Sequence, residues 1–460
     1  MSILIQNGTL ICPQGPVQAD LRVEGDKIVQ LGPNLPVGDS RVLNAAGKLV
    51  FPGFIDTHTH FEMNKGTVRE TADNWATGTR AALAGGTTCV LDFAEPGRGC
   101  SLQSALDEWH RRADGHASCH YGFHMTIKDW DPRILDELPR MTAQGVTSYK
   151  VYLAYANIRV SDGVAYEALK AVGAEGGVIG CHCENGDLID RAIAELRDAG
   201  RLSPASHPLS HTPAMEAEAV TRWLALAEQA GAPVNVVHLS TARGLEAARA
   251  ARARGQKVYL ETCPQYLTLT EENYQLPGFE GAKYVCAPPL RPRSDVDALW
   301  AAVERGEIDT VGTDHCSFNF HPTKELGRDD FSAIPGGIPG TEHRSALMYT
   351  YGVKSGRITP HQMMRLLAEQ PARLFGMFPQ KGALAVGSDA DIVIFDPDST
   401  WRITAETQYQ NVDYTPYEGM EMAGRADTVL LSGETAVESG RVVLENRGRY
   451  VSRGPAQFWR

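Results

Sequence analysis

Eight short apolar runs, spaced a few tens of residues apart, limit most tightly what this chain can fold into. They read FIDTHTH, TTCVLDF, CHYGFHM, SYKVYL, GVIGCHC, VNVVHLS, KVYLETC and DTVGTDH. Runs of this length suit buried strands and are too short for helices. Helical patterns fill the spaces between them. The clearest, Pro213 to Ala230 (PAMEAEAVTRWLALAEQA), starts on a proline and is followed by Gly231, the usual start and stop signals. Alternation of this kind argues for parallel βα units, and eight is the number that closes a (β/α)₈ TIM barrel. The expected class is therefore α/β.

Both ends of the chain read differently. ILIQNGTLI, DLRVEGDKIVQLG and RVLNAAGKLVFPG open it, and DADIVIFDP, ADTVLLSGE and AVESGRVVLE come near its close. Alternating apolar residues with Gly, Asn and Asp punctuation signal short strands. The expectation is a composite β-sandwich from residues 1–52 and 383–460, with the barrel occupying 53–382. At 460 residues the chain has room for both units.

Composition excludes several partners. A net charge of −12 argues against nucleic acid or an anionic membrane surface. No apolar run approaches the roughly 18 residues of a spanning helix. The start, MSILIQNGTLICPQG, has neither the basic nor the apolar part of a secretory leader. Nine scattered cysteines match no zinc-knuckle spacing and read as reduced thiols, so a cytoplasmic protein is expected.

In a barrel of this kind, chemistry sits at the C-terminal ends of the strands. Those ends carry His58 and His60, then Lys150, His182, His238 and Asp314. His58 and His60 are two apart on a strand and project to one face, where two imidazoles can clamp a divalent ion. In SYKVYL, Tyr149, Val151 and Leu153 suit the helix-facing side, which turns Lys150 and Tyr152 into the lumen. A lone buried ammonium is costly, and neighbouring cations would repel it. Carboxylation by carbon dioxide removes both problems, because the resulting carbamate is an anion able to bridge two metals. A single His at a strand end is more often a satisfied polar residue than a ligand. His182 and His238, set beside a lysine and a His pair, reverse those odds. Cys181 and Cys183 flank His182 on the opposite face and read as packing. Asp314 reads either as a cap for the following turn or as a carboxylate that binds metal and moves a proton. His315, beside it, points away and is the weaker candidate.

Together, PGFIDTHTHF, SYKVYLAY, GCHCENGDLI, VVHLS, ETCPQYL, VGTDHCSF, NVDYTPYEG and GSDADIVIFDP resemble the cyclic amidohydrolases of the D-hydantoinase and dihydropyrimidinase kind. The resemblance runs over nearly the whole chain. It implies two divalent ions, usually zinc, with His58, His60, carboxylated Lys150 and Asp314 on one, and Lys150, His182 and His238 on the other. It implies that Tyr155 hydrogen-bonds the substrate carbonyl, and that the chain forms a homotetramer or homodimer. Ala287 and Gly336 stand where Ser and Asn are usual, at positions that contact the ring largely through backbone groups. The implied reaction is hydrolysis of a small cyclic ureide to an N-carbamoyl amino acid. Allantoinase and dihydroorotase share such a metal site, and some relatives keep the fold as non-catalytic assembly proteins. A full ligand set speaks against the latter, and Lys150 against a one-metal deaminase-like barrel. The loops holding Met63, Lys65, Tyr152 and Arg159 are expected to wall the pocket for the ring's substituent. Lys65 and Arg159 replace bulky apolar residues there, which raises the expectation of a polar or acidic substituent.

Overall fold

The computed structural model describes residues 2–460. Its centre is one eight-stranded sheet in which every neighbouring pair is sequential and parallel. The strands are Phe54–Thr59, Thr87–Ala94, His120–Thr126, Ser148–Tyr152, Val178–His182, Val234–Val236, Val258–Thr262 and Thr310–Val311. They coincide with the eight apolar runs. Beyond the eighth strand, His315 bridges Thr59 in parallel. There His60 N donates to His315 O at 2.8 Å and His315 N to His58 O at 3.3 Å, joining the last segment to the first. The result is a nearly closed TIM-like barrel.

Helices cover the outside, and their ends follow local chemistry. Pro213–Ala230 begins after Thr212 and ends at Gly231, whose φ of 63° few residues other than glycine adopt readily. Asn74 and Thr77 form a reciprocal capping box at the start of Trp75–Ala84. The apolar faces of these helices and the outward residues of the strands, Tyr149, Val151 and Leu153 among them, share one continuous core.

Two further sheets come from the termini. One has four strands, all from the first 44 residues. The other has seven, in which Ile392–Arg402 pairs with Leu49–Pro52, so the two ends of the chain are stitched into one sheet. Ile3, Leu21, Val50, Ile392 and Leu430 belong to a core shared by these sheets. After Arg441–Val442 the chain leaves the sheet and crosses the N-terminal end of the barrel. Val451 N donates to Tyr121 O at 2.8 Å, and Phe458 and Trp459 pack against Tyr259.

Candidate metal centre

Register brings the strand ends together. Thr126, the last residue of the third strand, pairs with Lys150, and Tyr152 with His182, so the fourth and fifth strands end at one level with Lys150 just below. His58 and His60 both turn inward, with ring centroids 5.3 Å apart. The Asp314 carboxylate closes on them: its Oδ1 lies 3.2 Å from Nε2 of each histidine. These three residues offer ligand atoms within 4.8 Å of one another, a group able to hold a metal ion. His182 and His238 form a second pair, with Nδ1 and Nε2 only 3.0 Å apart. The two pairs adjoin, since the His58 and His238 rings are centred 5.4 Å apart.

The outer partners show what these imidazoles lack. His58 Nδ1 meets Glu261 Oε1 at 2.7 Å. If that nitrogen carries the proton, Nε2 is a bare lone pair; it is buried, has no hydrogen-bond partner and faces a carboxylate oxygen. Two acceptors opposed in a buried site call for a cation between them. His182 repeats the arrangement, with Glu184 Oε2 at 2.8 Å from Nε2, leaving Nδ1 for the space shared with His238. Burial works against ionising Glu184, yet His211 and His182 hold its carboxyl down at about 2. Burial also pushes His58 and His238 well below the ordinary imidazole range, keeping their lone pairs free at neutral pH. Carboxylates that orient ligand histidines in this way are usual around metal sites.

Lys150 lies among them, 1% exposed, and pairs with no carboxylate among the described residues. Its amine sits 4.8 Å from the Phe93 ring centroid and 5.0 Å from that of Tyr152. Burial lowers its pKa, against the opposing charge of Asp314 and Glu261. Lys150 is thus a buried amine without a carboxylate partner beside four imidazoles. It fits a carbamate bridge between two metals better than a free ammonium.

Backbone strain marks the same places. His238, Asp314 and Tyr155 have φ of 40°, 53° and 66°, in a region that non-glycine residues rarely adopt. Tyr155 stands at the rim, 39% exposed, its ring 5.0 Å from that of His182. Tyr152 is buried and stacks on His182. Ala287 and Gly336 are neighbours: a Cβ on Gly336 would meet that of Ala287 at 3.7 Å. His315 is not part of the cluster. Its Nε2 reaches Asp73 at 3.0 Å, and its Nδ1 accepts from Gly340 N and Thr341 N.

The loop cations differ from expectation. Met63 and Lys65 line a cavity of about 270 Å³ that His60 also lines, but Lys65 is paired with Glu62. Arg159 does not line it. It pairs with Asp187 at 2.7 Å, at the start of helix Gly186–Asp198. Both cations thus have a carboxylate partner, which offsets the charge that an acidic substituent would meet. Sequence reasoning also missed Glu261, Glu184 and Phe93. The two carboxylates stand at strand ends within KVYLETC and just after GCHC, where a search for second-layer partners finds them. Phe93 carries no polar signal at all.

An eight-stranded parallel barrel with imidazoles and a carboxylate converging at its C-terminal ends is the scaffold of a metal-dependent hydrolase. Residues 49–436 match the model of the Amidohydrolase family. The chain is 43% identical to a D-hydantoinase of Geobacillus stearothermophilus over 98% of its own length and 97% of the relative's. It is 42% identical to a D-hydantoinase of Ralstonia pickettii, covering 98% and 99%. The crystal structure of a dihydropyrimidinase from Brevibacillus agri NCHU1002 superposes with a TM-score of 0.97 at 42% identity, covering all of both chains. The chain belongs to the amidohydrolase family, in its D-hydantoinase and dihydropyrimidinase branch. It is an enzyme, a cyclic amidohydrolase.

Proposed function

We propose that the protein opens the ring of a hydantoin or dihydropyrimidine to an N-carbamoyl amino acid. The observation that carries this reading is Lys150, buried and unpaired among four histidines and Asp314. His58, His60, Asp314 and carboxylated Lys150 would hold one zinc ion, and Lys150, His182 and His238 a second. Ions held there supply Lewis acidity to the amide carbonyl and acidify water. Asp314 takes the proton of the attacking water on a carboxylate oxygen and returns it to the leaving amide nitrogen. Tyr155 donates its hydroxyl proton to the carbonyl oxygen as charge develops there. Glu261 and Glu184 keep the ligand imidazoles in one tautomer and orientation. Met63, Lys65 and Tyr152 border the ring's substituent, and backbone groups at Ala287 and Gly336 take the ring itself. Arg159, held by Asp187 at 2.7 Å, borders the substituent from the loop after the fourth strand.

The four-stranded and seven-stranded terminal sheets form a β-sandwich apart from the barrel of 53–382, and subunits associate as a homotetramer or homodimer. All nine cysteines are free and eight are buried, which supports a reducing, cytoplasmic setting. Among the described residues, no helix is long and apolar enough to cross a membrane.

The test is Lys150→Ala, with metal content and ring opening of hydantoin, dihydrouracil, allantoin and dihydroorotate measured together. Metal and activity should fall together, by more than the roughly 100-fold that orienting partners alone can cost. Short carboxylic acids should restore part of both. A variant with two tightly held metals and normal turnover overturns the bridge, and turnover of allantoin or dihydroorotate alone overturns the substrate class.

A further inference from the structure

A second cavity, of about 370 Å³, lies where the end of helix Trp75–Ala84 meets the seven-stranded sheet. Its volume falls within the range of ligand pockets, about 300–1,000 Å³. Its lining is unusual for a chain with a net charge of −12. Arg402, Arg425 and Arg441 come from three strands of the sheet and all border it. Arg402 is neutralised by Glu421 at 2.7 Å. Arg425 donates only to the backbone oxygen of Gly440, at 3.2 Å, and Arg441 pairs with no carboxylate among the described residues. A guanidinium has five N–H donors, so most of the donors on these two are unclaimed by protein.

The wall opposite carries an unsatisfied group. His343 is 1% exposed, and neither of its ring nitrogens has a hydrogen-bond partner. Burial drives its pKa down to about 3, so it is neutral and offers one donor and one acceptor. Glu342, the one carboxylate among the described lining residues, is pushed up to about 8 by burial, although the backbone N–H groups of Tyr409 and Gln410 donate to it. Gly440 keeps the site open for Arg425: a Cβ there would lie 1.9 Å from the guanidinium. Trp401 supplies a flat apolar wall, with the Arg425 guanidinium 5.9 Å from its ring.

We propose that this cavity is a second ligand site, distinct from the metal centre, that binds a small oxyanion. The anion, a carboxylate or a phosphate, sits between Arg425 and Arg441 and accepts a hydrogen bond from His343. Two uncompensated guanidiniums select its charge, and their planar forks suit both groups. A flat organic part would lie on Trp401.

Isothermal titration of the metal-loaded, full-length protein at constant ionic strength tests this, with inorganic phosphate in one arm and benzoate in the other. One saturable site per chain is expected for at least one anion. Phosphate alone would mark a phosphate site, and tighter benzoate binding a planar carboxylate packed on Trp401. Arg425→Gln should weaken binding about tenfold or more, the loss usual for a charge-assisted hydrogen bond. Arg441→Gln, a change at an exposed side chain that cannot disturb folding, should also weaken it, and both variants should keep ring opening. No saturable binding of either anion overturns the proposal. So does binding that both variants leave unchanged but chelation of the metal abolishes, since the anion is then at the catalytic centre.

Discussion

The two ends of the barrel are built from the same eight strands and could hardly differ more. At the C-terminal end, four imidazoles, a lysine and a carboxylate are buried with their lone pairs facing one another. At the N-terminal end, Ile55, Leu91, Val178, Tyr259 and Phe375 form an apolar cluster that the tail seals with Val451 and Trp459. The charges inserted there are held by strand groups: Arg453 donates to Ser148 Oγ and to Phe123 O, and Arg344 to Ile55 O. At the upper end His238, Asp314 and Tyr155 hold left-handed backbone. One end stores unsatisfied polarity and strain, and the other supplies the packing that keeps them in place. Function and stability are thus separable by position along a single strand.

Substitutions can break that separation. The largest effect is expected at Asp314→Asn, which removes the proton carrier but keeps the shape. Turnover should fall about 10²–10⁴-fold, the usual contribution of a general acid–base group, while substrate affinity and thermal midpoint hardly move. A variant within a few-fold of normal turnover places the proton transfer elsewhere.

Next is Glu261→Ala, which frees the His58 ring to rotate. Metal affinity should drop about 10–100-fold in a competition assay with a chelator. Unchanged affinity would mean that the barrel wall alone orients His58.

At the other end, Leu91→Ala empties part of a fully buried cluster and should cost about 2–5 kcal/mol. A lower thermal midpoint with kcat retained in the folded fraction supports the division of labour. A kcat loss as large as that of Asp314→Asn ends it.

The smallest effects belong to the rim. Lys65 and Arg159 are half-exposed and ion-paired, and such pairs are worth about 0–1 kcal/mol. Replacing both, Lys65→Leu with Arg159→Phe, should shift the preference between phenyl- and carboxyethyl-hydantoin by less than about fivefold. A larger shift toward the phenyl compound restores them as selectors.

The rim also shows where reading the chain stops. Lys65 and Arg159 are visible as cations in pocket loops, but their partners are not. Glu62 is three residues from Lys65, and Asp187 lies 28 positions beyond Arg159 on another helix. Pairing of that kind depends on how two loops lie together. The carboxylates Glu261 and Glu184 were legible in type and place. The duty of Glu261 was not, because the hydrogen bond it accepts from His58 crosses 203 positions of sequence. The docking of the last dozen residues beneath the barrel left no pattern to read, since a tail without periodicity can lie on any surface.

The sequence by itself determined the eight strands, their parallel order and the residue types at their ends. Those follow from local periodicity and from the chain's alternation of strand and helix, which few topologies can satisfy. It also determined that Lys150 faces inward, because side chains alternate along a strand. Only the tertiary structure decided which nitrogen of each histidine is free, which cations are neutralised, and that two guanidiniums and a histidine share a cavity. These depend on distances of a few ångströms between distant segments, and charge and hydrogen bonding change over those distances while periodicity does not.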